Sequence, residues 1–321
     1  MDLTKKVYIT VDGGTTNTRV AIVENGVVAG RLRIPMGAGC NLRDNQAFEQ
    51  ELRDAITELC ACRCLRESQL TAILASGMIT SELGLYCLPH RIAPAGIRLL
   101  HDGMKTISLP RISKCPFTLI PGIRSDGDTP EERDMMRGEE TELIGLRELM
   151  KDRTETDENC LWVLPGSHSK LIRTDREGRI TSFSTMLTGE MLAALSRSTI
   201  LRDAVDLTLS HAAPDALLHG YRYASERGIN EALFKTRILN NQLGATPEET
   251  YGFFLGAVLE GELRAILRSD ARTVVLGGKP QLRIAMDTIL RTFSNKTILT
   301  ATDQEVDICT FLGMVRVYEN A

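Results

Sequence analysis

The feature that most limits what this 321-residue chain can fold into is a unit that occurs twice. In each copy an apolar strand runs into a glycine, then small hydroxyl or amide residues, then a basic residue, and a short apolar stretch follows that ends in a glycine turn. The first copy is the strand 7–11, the run Gly14 to Arg19, the stretch 20–23 and the turn Asn25-Gly26. The second is the strand 161–164, the run Gly166 to Lys170 and the turn Glu177-Gly178, about half a chain later. Asn25-Gly26 between apolar runs is a strong hairpin signal, and each copy reads as strand, polar turn, strand. The repeat predicts an α/β protein made of two similarly built domains. Coincidence is the competing reading, because strand-turn-strand units are common.

Between the copies, the polar run KDRTETDEN at 151–159 has no apolar period and marks the domain boundary, dividing 1–155 from 156–321; a solvated loop is the alternative. Helical periodicity predicts helices at 46–66, 129–150, 186–202 and 249–269, with Glu131 and Glu132 at the positive end of the second. A strand at 71–75 runs into Gly77, and one at 273–276 runs into Gly277-Gly278 and another helix. DICTFLGMVRVY closes the chain as a helix, placed to pack back on the first domain.

Hydrophobic residues make up 43% of the chain and charged residues 25%, enough to bury a core and unlike a disordered or fibrous composition. A formal charge of -4 gives no support for a nucleic-acid surface. The start lacks the apolar stretch of a secretory leader, and no run approaches the roughly 20 apolar residues of a spanning helix, so a soluble, cytoplasmic protein is expected. The eight cysteines include no CxxC pair and are read as free thiols. Cys60, Cys62 and Cys64 form the tempting cluster, but the spacing of Phe48, Leu52, Ala55, Leu59 and Cys62 predicts Cys62 on a helix core face.

Strand ends that expose backbone N–H groups through small residues can hold phosphate oxygens. There are three: Gly13-Gly14-Thr15-Thr16, Gly166-Ser167-His168-Ser169 and Gly277-Gly278-Lys279. None is a Walker motif or a dinucleotide GxGxxG. A glycine after a strand is most often only a turn, but three of them, with Asp12 before the first, describe a small-metabolite kinase. Phosphoryl transfer asks the protein for positioning, charge compensation, a metal carboxylate and a base for the acceptor.

DGGTTNTR, the ASGM stretch at 75–78, PGIRSDGDTPEERDMMRGEETELIG, LPGSHSK, MLTGE and VVLGG occur in this order. With them the chain resembles the 2-dehydro-3-deoxygalactonokinase family, within the hexokinase, actin and Hsp70-like ATPases. The resemblance implies two ribonuclease-H-like domains with ATP in the cleft between them. It also implies Mg²⁺-dependent transfer of the γ-phosphate to the C6 hydroxyl of 2-dehydro-3-deoxy-D-galactonate, in galactonate degradation. Asp12 matches the aspartate that holds Mg²⁺ in similar kinases; capping of its own turn is the alternative. Thr15, Thr16, Asn17 and Arg19 would serve the phosphates, although Arg19 equally suits a surface strand. Gly166, Ser167 and His168 form the second phosphate turn, and Lys170 would offset phosphate charge or meet the substrate carboxylate. Gly277 and Gly278 match the adenosine turn.

For the acceptor base, relatives place an aspartate after a glycine where this chain has Glu139. That residue stands four before Leu143, with Leu146 and Met150 continuing the face, so an acid lies in line with an apolar stripe. Glu140, Asp126, Asp128 and Asp134 are close in sequence, and Asp128 is the chief competitor. Ser76, Gly77, Met78, Arg137, Thr188 and Glu190 are expected on the sugar side. A kinase of another 2-keto-3-deoxy sugar acid, or a non-catalytic sugar or nucleotide sensor, are the competing functions. A homodimer is common among cytosolic enzymes and is the expected assembly if one forms.

Overall fold

The computed structural model describes residues 6–154 and 159–319. The boundary expected at 155/156 lies outside the described residues. Two compact units result: one holds the described residues up to 154 with 175–182 and 303–319, the other 159–174 and 183–302.

The first unit opens with β1 (Val7–Gly13), β2 (Thr18–Glu24) and β3 (Val27–Ile34), an antiparallel meander. Asn25 and Gly26 turn the second hairpin with φ of 48° and 78°, the left-handed pair that suits strand twist. Next come α1 (Gln46–Cys62), β4 (Ala72–Gly77), β5 (Arg91–Ile92), α2 (Ile97–His101), β6 (Lys105–Ile107), β7 (Phe117–Leu119), β8 (Ile123–Arg124), β9 (Met135–Met136) and α3 (Glu139–Leu149). The main sheet runs β3-β2-β1-β4-β7-β6, with β4 parallel to both β1 and β7, and a small sheet runs β5-β8-β9.

The second unit contains β10 (Cys160–Leu164), β11 (Ser169–Thr174) and most of β12 (Ile180–Met186). It continues with α4 (Thr188–Ser198), α5 (Pro214–Arg227), α6 (Ile229–Gln242), α7 (Pro247–Arg268), β13 (Thr273–Leu276), α8 (Pro280–Phe293) and β14 (Thr297–Thr300). Its sheet runs β12-β11-β10-β13-β14, with β13 parallel to β10 and β14. The two sheets therefore share one pattern: a first strand flanked by its antiparallel successor on one side and by a parallel strand, reached through helices, on the other. α9 (Asp303–Glu319) returns to the first unit.

β1 is buried on both faces: Val7, Ile9 and Val11 on one and Tyr8 and Thr10 on the other are at most 1% exposed. α9 packs on β1 and β4, and α1 on β2 and β3. α9 also packs against α3, and two glycines let the backbones touch. A Cβ on Gly145 would lie 1.8 Å from the Cys309 carbonyl oxygen, and one on Gly313 1.9 Å from that of Thr141. Among the described residues no helix is long and apolar enough to cross a membrane.

Two expectations are corrected. The helix predicted at 129–150 begins only at Glu139. Met135 and Met136 pair with Arg124 and Ile123, and Gly138 takes φ 112°, so tertiary pairing overrides a run with good helix propensity. Within α1 it is Cys60 that is buried and Cys62 that is exposed. Cys60 stands four residues after Ile56 and eight after Leu52, on the face that packs into the core, whereas Cys62 is the last residue of the helix and turned off that face.

Candidate active site

In the first unit, β1 sets Asp12 between Arg19 of β2 and Ser76 of β4. Arg19 puts both Nε, at 2.8 Å, and Nη2, at 2.6 Å, on one carboxylate oxygen, Oδ2. Its Nη2 also donates to Thr310 at 3.2 Å, and the guanidinium lies 5.4 Å from the Phe311 ring centre. The Asp12 charge raises the Arg19 pKa against the opposing effect of burial. Arg19 is thus a clamp on Asp12 and not a free surface cation. The other oxygen, Oδ1, accepts no protein hydrogen bond among the described residues. It faces Gly77 and Gly138, where an added Cβ would stand 3.3 and 4.0 Å from it. Both glycines have positive φ, 81° and 112°, so any side chain would strain the backbone as well as fill this space.

The Gly14–Asn17 turn closes through Gly14 N–H donating to the Asn17 carbonyl at 2.9 Å. Ala38 and Gly39 brace it from outside, donating to the carbonyls of Gly14 and Thr15 at 3.0 and 2.8 Å. Thr15 and Thr16 are left exposed at the tip, with the Asn17 amide on the Thr16 hydroxyl at 3.0 Å. Gly13 is buried behind them, its Cα hydrogens pressed on Ile79.

Gly138 caps α3, and the acids sort themselves around it. Glu139 is half-buried, and its Oε2 accepts the Arg137 N–H at 3.0 Å at the positive end of the helix. Glu140 is the completely buried acid, both oxygens on the Gly138 N–H at 2.9 and 2.8 Å. Burial, and then the Glu139 charge, push its pKa up to about 8. Asp126 and Asp128 are exposed in the β8–β9 hairpin loop, Asp126 facing Arg124 and Arg133, each at 3.5 Å. Asp134 accepts the Met135 N–H at 2.6 Å in the same loop. Ser76 is buried and shares a hydrogen bond of 3.1 Å with Thr141, while Met78 is half-buried just beyond Gly77. Arg137 donates to the Thr80 carbonyl and hydroxyl, the Leu88 carbonyl and His90 Nδ1, all within 3.2 Å; it pins the 80–90 segment to α3.

The second unit carries the other turns. The Gly166 and Ser167 carbonyls accept the N–H groups of Gly189 and Glu190 at the start of α4, at 3.1 and 3.3 Å. His168 and Glu190 pair at 2.9 Å, and Lys279 reaches the Ser167 hydroxyl at 3.1 Å. Gly277 and Gly278 are buried; Gly278 has φ 66°, and a Cβ there would stand 2.3 Å from the Pro165 carbonyl oxygen. Lys170 is buried, its Nζ donating to the Thr185 hydroxyl at 2.9 Å. Thr188 is buried too, its hydroxyl donated to Glu262 Oε2 at 2.5 Å.

Glu262 escaped sequence reasoning, as did the Thr310 and Phe311 contacts of Arg19. Its carboxyl is buried and pushed up to about 7 by that burial, against the hydrogen bonds from Thr188 and Ser169. The available signal was an acid in line with Leu255, Leu259 and Ile266 on one helix face. The anchor on Arg19 left no sequence signal, because it joins residues nearly 300 positions apart.

Comparison with known proteins adds the family. A match described as 2-keto-3-deoxy-galactonokinase extends over residues 12–315. The chain belongs to this family. It is accordingly a phosphotransferase acting on a sugar acid. The 2-dehydro-3-deoxygalactonokinase of Escherichia coli (strain K12) is 27% identical over 266 residues, 81% of this chain and 80% of that one. A crystal structure from Sinorhizobium meliloti, assigned as a 2-dehydro-3-deoxygalactonokinase protein, superposes with a TM-score of 0.76. At 21% identity and 97% coverage of both chains, it establishes the shared fold.

Proposed function

We propose that the chain transfers the γ-phosphate of ATP to the C6 hydroxyl of 2-dehydro-3-deoxy-D-galactonate, giving the 6-phosphate and ADP. The supporting observation is the approach of Asp12 Oδ1 and of Gly138, which caps α3, to Gly77, all within the first unit. A carboxylate with one oxygen fixed and the other open, with an acid on the first turn of the adjoining helix, suits charge compensation beside an acceptor hydroxyl. Each unit is read as ribonuclease-H-like, on the strand order that the two sheets share.

The donors fit Mg²⁺ in a limited way. Among the described residues no group of three or more His, Cys, Asp or Glu forms a metal cage. Asp12 would therefore hold the ion with phosphate oxygens and water supplying the rest, the arrangement that Mg²⁺ favours. Bound there, the ion would neutralise charge on the transferring phosphate. Within the first unit Thr15, Thr16 and Asn17 offer N–H and hydroxyl donors to phosphates; within the second, Gly166 and Ser167 are assigned the same role and the Gly277-Gly278 turn is assigned to the nucleoside. Glu139 orients or deprotonates the acceptor hydroxyl, since Glu140 is committed to Gly138 and Asp128 stands out in the hairpin loop.

Acceptor-stimulated ADP release across a panel of sugar acids tests the assignment. Release with 2-dehydro-3-deoxy-D-galactonate above its relatives is expected; a stronger response to another 2-keto-3-deoxy acid would reassign the substrate on the same site. Glu139→Gln should lower kcat at least about 100-fold, while Asp128→Asn leaves it within about threefold.

A further inference from the structure

The small sheet next to Glu139 has one covered face and one open face. Parallel pairing sets Arg91 opposite Ile123 and Ile92 opposite Arg124; antiparallel pairing sets Ile123 opposite Met136 and Arg124 opposite Met135. Paired residues point to the same side of a sheet and successive residues to opposite sides, so Ile92, Arg124 and Met135 form one row on one face. Ile123 and Met136, on the other, are 0% and 2% exposed. Ile92 is 47% and Met135 64% exposed, two large apolar side chains flanking a guanidinium on an open surface.

The next row on that face holds His90, Gly122 and Arg137. A Cβ on Gly122 would stand 2.9 Å from His90 Cδ2 and 3.2 Å from Arg137 Cα, so glycine is what lets this row close up. Arg137 donates to His90 Nδ1 at 3.2 Å. Burial, and then the charges of Arg137 and Arg124, lower the His90 pKa to about 4, so the ring is neutral and carries its hydrogen on Nε2. Among the described residues the Arg124 guanidinium has one weak tie, Asp126 at 3.5 Å, which Arg133 shares at the same distance; all three are well exposed. Exposed pairs of this kind contribute about 0–1 kcal/mol, so a ligand can displace Asp126.

We propose that this face binds the acid end of the substrate, Arg124 meeting the carboxylate while Ile92 and Met135 cover the methylene that a 3-deoxy sugar acid presents at C3. The inference rests on the sugar-acid reading above. Its chemistry is charge complementarity plus an apolar strip of the right kind: carboxylate and methylene are the two features that separate such an acid from an ordinary sugar. The face is continuous with Arg137-Gly138-Glu139, so an acid held here by C1 extends its far hydroxyl toward Glu139. Arg124 and Met135 are specificity-determining residues in this account, and Arg137 positions the row.

Direct binding tests it without turnover. 2-Oxobutanoate carries the carboxylate, the ketone and the C3 carbon but no acceptor hydroxyl; its methyl ester lacks the charge. Ligand-observed NMR on the full chain should show the acid binding the wild type at least about tenfold better than the ester, with that preference lost in Arg124→Gln. In turnover, Arg124→Gln should raise the KM for the sugar acid about 10- to 100-fold with the KM for ATP unchanged, and Met135→Ser should raise it a fewfold. Both side chains are exposed, so the variants should fold, which an unchanged melting temperature checks. Equal binding of acid and ester, or an Arg124→Gln enzyme with a wild-type KM for the acid, would overturn the assignment. The absence of any sugar-acid turnover by the wild type would instead count against the catalytic reading.

Discussion

Replacing Glu140 by glutamine gives a measurement whose size follows from the structure. Glu140 is fully buried, with a pKa of about 8 in place of its ordinary 4.5. The folded chain therefore favours the protonated acid, and the stability this confers is complete below about pH 4.5 and lost progressively as pH rises through 8. Between pH 5 and pH 7 the loss is about 2–3 kcal/mol, at 1.36 kcal/mol per unit of pKa difference. Glutamine keeps an oxygen to accept the Gly138 N–H and cannot ionise, so the variant lacks this dependence. Its buried amide hydrogens add an offset of about 1–3 kcal/mol that does not vary with pH. Urea unfolding of both proteins at pH 5, 6, 7 and 8 isolates the effect, because every other titrating group is common to the two. The stability difference should move in the variant's favour by about 2–3 kcal/mol from pH 5 to pH 7 and level off above pH 8. A difference that stays flat across this range would refute the reasoning, since it would mean that Glu140 is neither buried nor protonated as described.

Asp12→Asn should lower kcat at least about 100-fold while the fold persists, because an amide can still accept from Arg19 but carries no charge; steady-state rates with circular dichroism check both halves. Gly313→Ala should destabilise by about 1–3 kcal/mol or more, measured by urea unfolding, since its Cβ would stand 1.9 Å from the Thr141 carbonyl oxygen. Thr188→Val removes the 2.5 Å hydrogen bond to Glu262 Oε2. It should cost about 1–3 kcal/mol, and more at pH 8 than at pH 5, because that bond favours the ionised carboxylate; thermal unfolding at the two pH values decides it.

The sequence by itself carried whatever is local. The Asn25-Gly26 hairpin, the buried run of β1, the helix of 247–268 and the glycine turns at 13–14, 166 and 277–278 are written in adjacent residues, through alternation, periodicity and the backbone freedom of glycine. Glu139 was singled out the same way, as an acid in line with an apolar stripe. Tertiary structure decided matters that depend on who faces whom. It placed Arg19 on Asp12 and Thr310, leaving only Oδ1 open, and it commits Glu140 to Gly138 while its neighbour stays half-buried. It also took Met135 and Met136 out of a helical run by pairing them with β8, which creates the open row beside Glu139. The physical reason is range: propensity acts over one turn or one hairpin, whereas ion pairs, burial and strand register are fixed by partners tens or hundreds of residues away.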